Sequence, residues 1–340
     1  MTGTQLRPEE TPEYLARAGV LPDAAGAAVE RLGGGVSNVV LQVTWDDDCA
    51  VVKQPRPNLA VEDDWPADVV RVHNEAAAAR AYREVLRRVD SPARVPGIRF
   101  EDESTHVVAM DCAPTGAGTW KSELLDGRVD TGVAAELGRV LGAVHRVAAD
   151  DASLAEQFAN ERPFEQLRID PYHRTTAERH PDLREPIQRE IDRITGTQRT
   201  LVHGDYSPKN VLVDRAGDAP VPWLIDFEVA HWGDPAFDVA FMLNHLFIKS
   251  VHNADQQHEY ANAAFAFWDA YTEQVPWDVE AETVAELGIL MLARVDGKSP
   301  VEYVGEGPTA AALRRIARRT IEHGTSDIDE FAARVAAEAP

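Results

Sequence analysis

The sequence predicts a two-lobed α+β protein, with a small antiparallel-sheet lobe carrying one helix and a larger, mostly helical lobe after it. Three observations carry this expectation: a β-β-β-α-β-β order of patterns in the first third, a connector containing Pro114, Gly116 and Gly118, and long helical periodicities beyond it. At about 100–200 residues per domain, 340 residues suffice for one large or two linked domains.

Residues 1–28 read as a short helical extension, with Pro12 at a helix start and Glu13 to Ala18 following it. The stretch VERLGGGVSNVVLQVTWDDDCAVVKQ holds β-rich runs on either side of Asp46-Asp47-Asp48, and its glycine cluster makes an irregular bend inside the first run. After a polar stretch from Pro55 to Pro66 comes VHNEAAAARAYREVLRRV, where Ala78, Ala79, Tyr82 and Leu86 fall at helical spacing. Strands at Gly97 to Glu101 and His106 to Met110 complete a lobe over 29–112. The remainder, 113–340, carries helical patterns at Gly132 to Val147, Leu183 to Ile194, Asp238 to Ile248, Tyr260 to Gln274, Val279 to Val295 and Ala310 to Glu322. Short β-like runs at Val211–Val213 and Trp223–Ile225 interrupt them. A cleft between two such lobes is the natural place for a ligand.

The net charge of −23 comes from 57 acids against 34 bases, and the acids are spread along the whole chain as a surface property. Such a surface repels phosphate backbones and anionic lipid, so neither nucleic acid nor membrane is expected as a partner. Only five of the bases are lysines: Lys53, Lys121, Lys209, Lys249 and Lys298. Cys49 and Cys112 make neither a disulfide framework nor a four-ligand zinc site, and read as two reduced, small apolar residues. With no leader-like start and no window near the ~20 apolar residues of a span, a soluble cytoplasmic protein is expected.

The chemistry concentrates in LVHGDYSPKNVLVDRAGDAPVPWLIDFEVAHWGDPAFDVAF. Phosphoryl transfer from a nucleotide needs a carboxylate to orient an acceptor hydroxyl and oxygen ligands for Mg²⁺ at the phosphates. Asp205, Asn210 and Asp226 supply that set, and the strand-turn-strand pattern between Asn210 and Asp226 can bring both metal ligands to one wall. His203-Gly204-Asp205, Asn210 and Asp226-Phe227-Glu228 together resemble the aminoglycoside phosphotransferase and choline kinase superfamily, a small-molecule branch of the protein-kinase-like fold.

That resemblance implies roles upstream. Lys53 would hold the nucleotide phosphates, with Glu75 as its partner or Glu84 as the alternative. The loop Gly33-Gly34-Gly35-Val36-Ser37-Asn38 would cover the β- and γ-phosphates, and backbone around Met110, Cys112 and Ala113 would read the adenine edge. Glu228 would add a carboxylate at the metal, or else be a surface or capping acid. Asp234 and Asp238 resemble the buried anchor of the catalytic loop, Asp238 being equally a helix-start residue, and His203 would support that loop. Only eleven residues separate Asp226 from Asp238 and no A-P-E follows, which leaves no room for an activation loop and favours a small hydroxylated acceptor.

Two inserts, QPRPNLAVEDDWPADVVRVHNEA and CAPTGAGTWKSELLDGRVD, resemble methylthioribose kinase, but MLARVDGKSPVEY offers Arg294 and Lys298 where that family has adjacent arginines. The reading is an ATP- and Mg²⁺-dependent kinase of a sugar-like hydroxyl, with Asp205 catalytic. Its alternatives are an aminoglycoside kinase, a choline or ethanolamine kinase with an aromatic cage from Trp232, Trp268 and Trp277, and a nucleotide-binding regulator without turnover.

Overall fold

Alternating burial builds the sheet of the first lobe. In the computed structural model, which describes residues 5–33, 36–60, 65–325 and 327–339, strands β1 (Ala28–Arg31), β2 (Asn38–Trp45), β3 (Asp48–Pro55), β4 (Ile98–Asp102) and β5 (Val107–Asp111) form one antiparallel sheet. Their order is β1-β2-β3-β5-β4. On β2, Val39, Leu41, Val43 and Trp45 lie on one face and join Ala50, Val52, Val107 and Ala109 in a core. Helix α1 (Thr11–Arg17) closes that core through Leu15. The two-residue turn between β2 and β3 places Asp46 at φ 47°, a left-handed conformation that Asp tolerates.

Helix α2 (Arg71–Arg88) lies between β3 and β4 in the chain and links the lobes. Its start packs Val72 and Ala76 against Val108 and Met110 of the sheet, while Ala78, Ala79, Tyr82, Val85 and Leu86 enter the large core of the second lobe. One stripe of helical periodicity therefore serves two lobes.

The second lobe contains α3 (Trp120–Leu125), α4 (Thr131–Ala149), α5 (Ala152–Gln157), α6 (Arg162–Phe164), α7 (Thr175–Arg179), α8 (Arg184–Gly196) and α9 (Pro235–His252). Helices α10 (Gln257–Thr272), α11 (Glu280–Asp296), α12 (Pro308–His323) and α13 (Ile328–Glu338) complete it. Helix α4 packs so closely on α10 that a Cβ on Gly138 would stand 2.2 Å from the Phe267 carbonyl oxygen. A π-helical stretch, Glu165–Arg174, joins α6 to α7 and contains Pro171, which a sequence reading takes as a break. Strand β6 (Gly118–Thr119) pairs with β8 (Val211–Asp214), which pairs with β9 (Val221–Leu224). Strands β7 (Thr200–Val202) and β10 (His231–Gly233) form a separate pair that the sequence patterns do not reveal.

The expectation of two reduced cysteines does not hold in this structure: Cys49 and Cys112 are disulfide-bonded. The antiparallel register sets Ala50 opposite Asp111, so the preceding and following residues meet across the pair with Cα atoms 6.0 Å apart. Among the described residues no helix is long and apolar enough to cross a membrane.

Candidate active site

The β8–β9 hairpin and the segments flanking it build the cleft wall. Ile225 N–H donates to the Asn210 carbonyl at 3.0 Å, which holds the residue before Asp226 beside Asn210. Asp226 has φ 70°, an uncommon conformation for a residue with a Cβ and one often found at functional sites. Phe227 turns inward and packs on Tyr82 of α2 with ring centroids 4.8 Å apart. That contact ties α2, and so Glu75, to the loop carrying Asp226.

Lys53 on β3 bridges the two sides. Its Nζ donates to Glu75 Oε1 at 2.6 Å and to Asp226 Oδ1 at 2.9 Å. Burial alone would lower its proton affinity, but Asp226, Glu75 and Glu228 raise it well above the usual lysine value. Burial pushes Glu75 upward against the pull of Lys53, whereas the cations Lys53 and Lys209 outweigh burial at Asp226 and hold it below the ordinary carboxylate range. Glu84 is half-exposed and pairs with Arg87 and Arg88, away from Lys53.

The loop carrying Asp205 hangs on Asp238. Its buried carboxylate accepts the backbone N–H of His203 at 2.6 Å and of Gly204 at 2.8 Å, and His145 Nε2 lies 3.3 Å from it. Gly204 has φ 75°, and a Cβ there would stand 2.6 Å from the Val229 carbonyl oxygen. His203 Nδ1 accepts the Asp205 N–H at 3.2 Å, and burial lowers the proton affinity of its ring. Asp234 is not part of this anchor: it caps α9 through the Ala236 N–H and pairs with Arg193.

Asp205 is buried between two cations. Its Oδ2 lies 2.8 Å from an Arg168 nitrogen and 2.9 Å from Lys209 Nζ, while its buried Oδ1 has no partner among the described residues. Burial raises its proton affinity, but Arg168 and Lys209 outweigh that and keep it below the usual range. Arg168 also donates from Nε to the Gly204 carbonyl at 2.7 Å. Sequence reasoning passed over Arg168, which sits in the π-helical stretch, and Lys209, which lies inside the H-G-D-x-x-x-x-N motif itself.

Arg71 was also missed. Its guanidinium donates to Glu228 Oε2 at 3.0 Å, to the Ser37 carbonyl at 2.6 Å and to the carbonyls of Asp68, Ala67 and Arg56. Asn38 Nδ2 donates to the same Glu228 oxygen at 2.8 Å and to Ser37 Oγ at 3.1 Å. Glu228 therefore faces Arg71 and Asn38, and ties the loop before β2 to the loop after β9. Gly34 and Gly35 lie outside the described residues.

The donors that could hold a metal are all oxygens. Asn210 Nδ2 donates to the Asp205 carbonyl at 2.9 Å, so its Oδ1 and the Asp226 carboxylate are the oxygens that could hold one. Among the described residues no group of three or more His, Cys, Asp or Glu is arranged to hold a metal ion by itself. Two protein oxygens completed by phosphates fit Mg²⁺, which keeps much of its shell for substrate and water. Met110 is buried on β5, and the Cys112 side chain is bonded to Cys49, so only the Cys112 backbone is available to a base. Trp232, Trp268 and Trp277 make no ring contact with one another among the described residues.

Kinases of known structure share this fold. The chain is 22% identical over 254 residues to a 4-hydroxytryptamine kinase of Psilocybe cyanescens, a match covering 66% of this chain and 69% of that one. Among solved structures, a choline kinase from Cryptosporidium parvum Iowa II superposes with a TM-score of 0.54 at 13% identity, covering 98% of this chain and 94% of that one. An amicoumacin kinase solved with AMP-PNP and Ca²⁺ gives 0.53 at 15% identity, with 87% and 88% covered. These structural likenesses bear out the two-lobed α+β fold. The sequence model of the phosphotransferase enzyme family matches residues 28–273, more than half of the chain, and the protein belongs to that APH family of small-molecule kinases.

Proposed function

We propose that this phosphotransferase moves the γ-phosphoryl group of ATP to a hydroxyl of a sugar-like small molecule, with Mg²⁺ at the phosphates. The observation that carries the reading is the convergence of Asp205, Asn210, Asp226 and Lys53 on one cleft, with an unpartnered buried oxygen on Asp205. Oδ1 of Asp205 orients the acceptor hydroxyl and takes its proton as the acceptor oxygen bonds to phosphorus and the bond to ADP breaks. Arg168 and Lys209 hold the other oxygen, so the carboxylate presents one fixed face.

Lys53, held by Glu75, positions the phosphates. Ser37, just before β2, and Asn38, the first residue of that strand, would cover them, and the backbone from Met110 to Ala113 would read the base. Asn210 and Asp226 would hold the cation, with Glu228 adding negative charge beside them from its place against Arg71. A cation bound there supplies positive charge to the polyphosphate. The relative solved with AMP-PNP and Ca²⁺ supports nucleotide and divalent-metal use. Dependence on ATP supports a cytoplasmic setting.

The test is ADP formation across a panel of sugars, polyols, amino alcohols and aminoglycosides, with and without Mg²⁺. The reading expects turnover on a hydroxylated member that EDTA abolishes. ATP binding with no phosphorylated product from any member would overturn it in favour of a regulator.

A further inference from the structure

Among the described residues, two buried cations beyond Asp205 have no carboxylate partner. Lys249 on α9 is 1% exposed and Arg294 on α11 is 9% exposed, and among the described residues neither takes part in an ion pair. The Lys249 ammonium has three protons to donate, yet its contacts are the His245 carbonyl and the Tyr303 hydroxyl, both at a long 3.3 Å. Arg294 donates from Nη1 to the Tyr172 hydroxyl at 3.0 Å and to Ser299, while its buried Nε has no partner. In a chain with 57 acids, two buried cations without a counter-charge are costly and call for an anion from outside the protein.

The place of this pair joins it to the reaction. Arg168, which binds Asp205, lies over the rings of Tyr172 and Phe241 at 5.7 and 5.5 Å. Tyr172 receives Arg294 on its hydroxyl, and Phe241 contacts His245, whose carbonyl receives Lys249. His245 is the point where charges meet: burial, then Lys249, Arg294, Lys209 and Lys121, all depress its proton affinity. Lys209 is the same residue that stands 2.9 Å from Asp205. Lys121 is already neutralised by Glu302, and Lys298 lies over the Trp65 ring at 5.2 Å. Glu302 pulls on both Lys249 and Arg294 but is bonded to Lys121, so among the described residues these two are the part of this cationic wall without an ion pair of their own.

We propose that Lys249 and Arg294 bind an anionic group of the acceptor, so that the substrate is a hydroxylated carboxylate or phosphate ester whose hydroxyl is presented to Asp205. This deepens the kinase reading and rests on it. It separates this chain from the amino-alcohol acceptors named for its relatives, whose ammonium group this wall would repel.

Calorimetric titration at saturating AMP-PNP and Mg²⁺ tests it with three probes that share a three-carbon hydroxylated frame: glycerate, glycerol 3-phosphate and 3-amino-1,2-propanediol. Filling the nucleotide site first reserves the signal for the second anion site. The expected result is binding of the two anions but not of the amine, weakened about tenfold or more by Lys249→Met and by Arg294→Met with AMP-PNP affinity unchanged. Each substitution also raises the melting temperature of the free protein, because it removes an uncompensated buried charge; a merely structural role would lower it. Anions that bind no better than the amine, or equally well in the variants, would overturn the proposal. Loss of AMP-PNP binding with anion binding still dependent on the two residues would overturn the kinase reading alone.

Discussion

Arg71 and Glu228, 157 residues apart in sequence, form a buried ion pair with Nε 3.0 Å from Oε2. The pair clasps the start of α2, the loop carrying Ser37 and the loop following Asp226 into one unit. The arrangement of these three segments before any ligand arrives depends on it.

Arg71→Met is expected to destabilise the fold by about 3–5 kcal/mol, because it strands Glu228 and frees several buried carbonyls. Denaturant unfolding reads this. The double variant Arg71→Met with Glu228→Gln should lose less than the sum of the two single changes, the mark of a direct pair.

Lys53→Met should weaken ATP binding and turnover together, since its ammonium joins Glu75 to Asp226. Glu75→Gln should reproduce part of that loss, and Glu84→Gln none of it, as Glu84 pairs among the described residues with Arg87 and Arg88. Steady-state kinetics in ATP distinguish the two glutamates.

Gly204→Ala should cost at least about 1 kcal/mol through its left-handed backbone, and more through collision with the Val229 carbonyl. Asp238→Ala should lower turnover as well as stability, since it leaves the N–H groups of His203 and Gly204 buried without an acceptor. Melting temperature and kcat measured on the same preparations check both.

Stability should depend on pH through Lys249, whose proton affinity is depressed from 10.5 to about 7 by burial and by Lys121 and Arg294, against a smaller pull from Glu302. His245 and Tyr303 supply its contacts. Between those values the unfolded chain binds a proton at this residue that the folded chain does not, so its penalty is full below pH 7 and is relieved as pH rises. The gain in melting temperature of Lys249→Met over the parent should therefore be largest at low pH and shrink above it.

Motif residues were legible because their chemistry fixes both identity and spacing. Asn210 and Asp226 flank a short hairpin whose local pattern shows through, Asp205 stands just ahead of it, and Lys53 stood out in a chain with five lysines. The strands predicted at Gly97 to Glu101 and His106 to Met110 sit one residue later, at Ile98–Asp102 and Val107–Asp111, as the pairing with β3 sets the register. That same register joins Cys49 to Cys112, and no spacing in the sequence announces it. Arg71 and Arg168 were opaque for a common reason: each acts through a partner more than thirty residues away, and an isolated arginine reads as surface charge. Arg168 was doubly hidden, because Pro171 disguises the helical stretch that carries it.

In the proposed reaction Asp205 performs the proton chemistry on a site that binds nucleotide without it. Asp205→Asn keeps the shape of the side chain and removes its basicity, and the measurement is ADP formation beside calorimetric AMP-PNP affinity in the same protein. The expected result is a loss of turnover of about 10²–10⁴-fold with nucleotide affinity nearly unchanged. Turnover equal to that of the parent would contradict it.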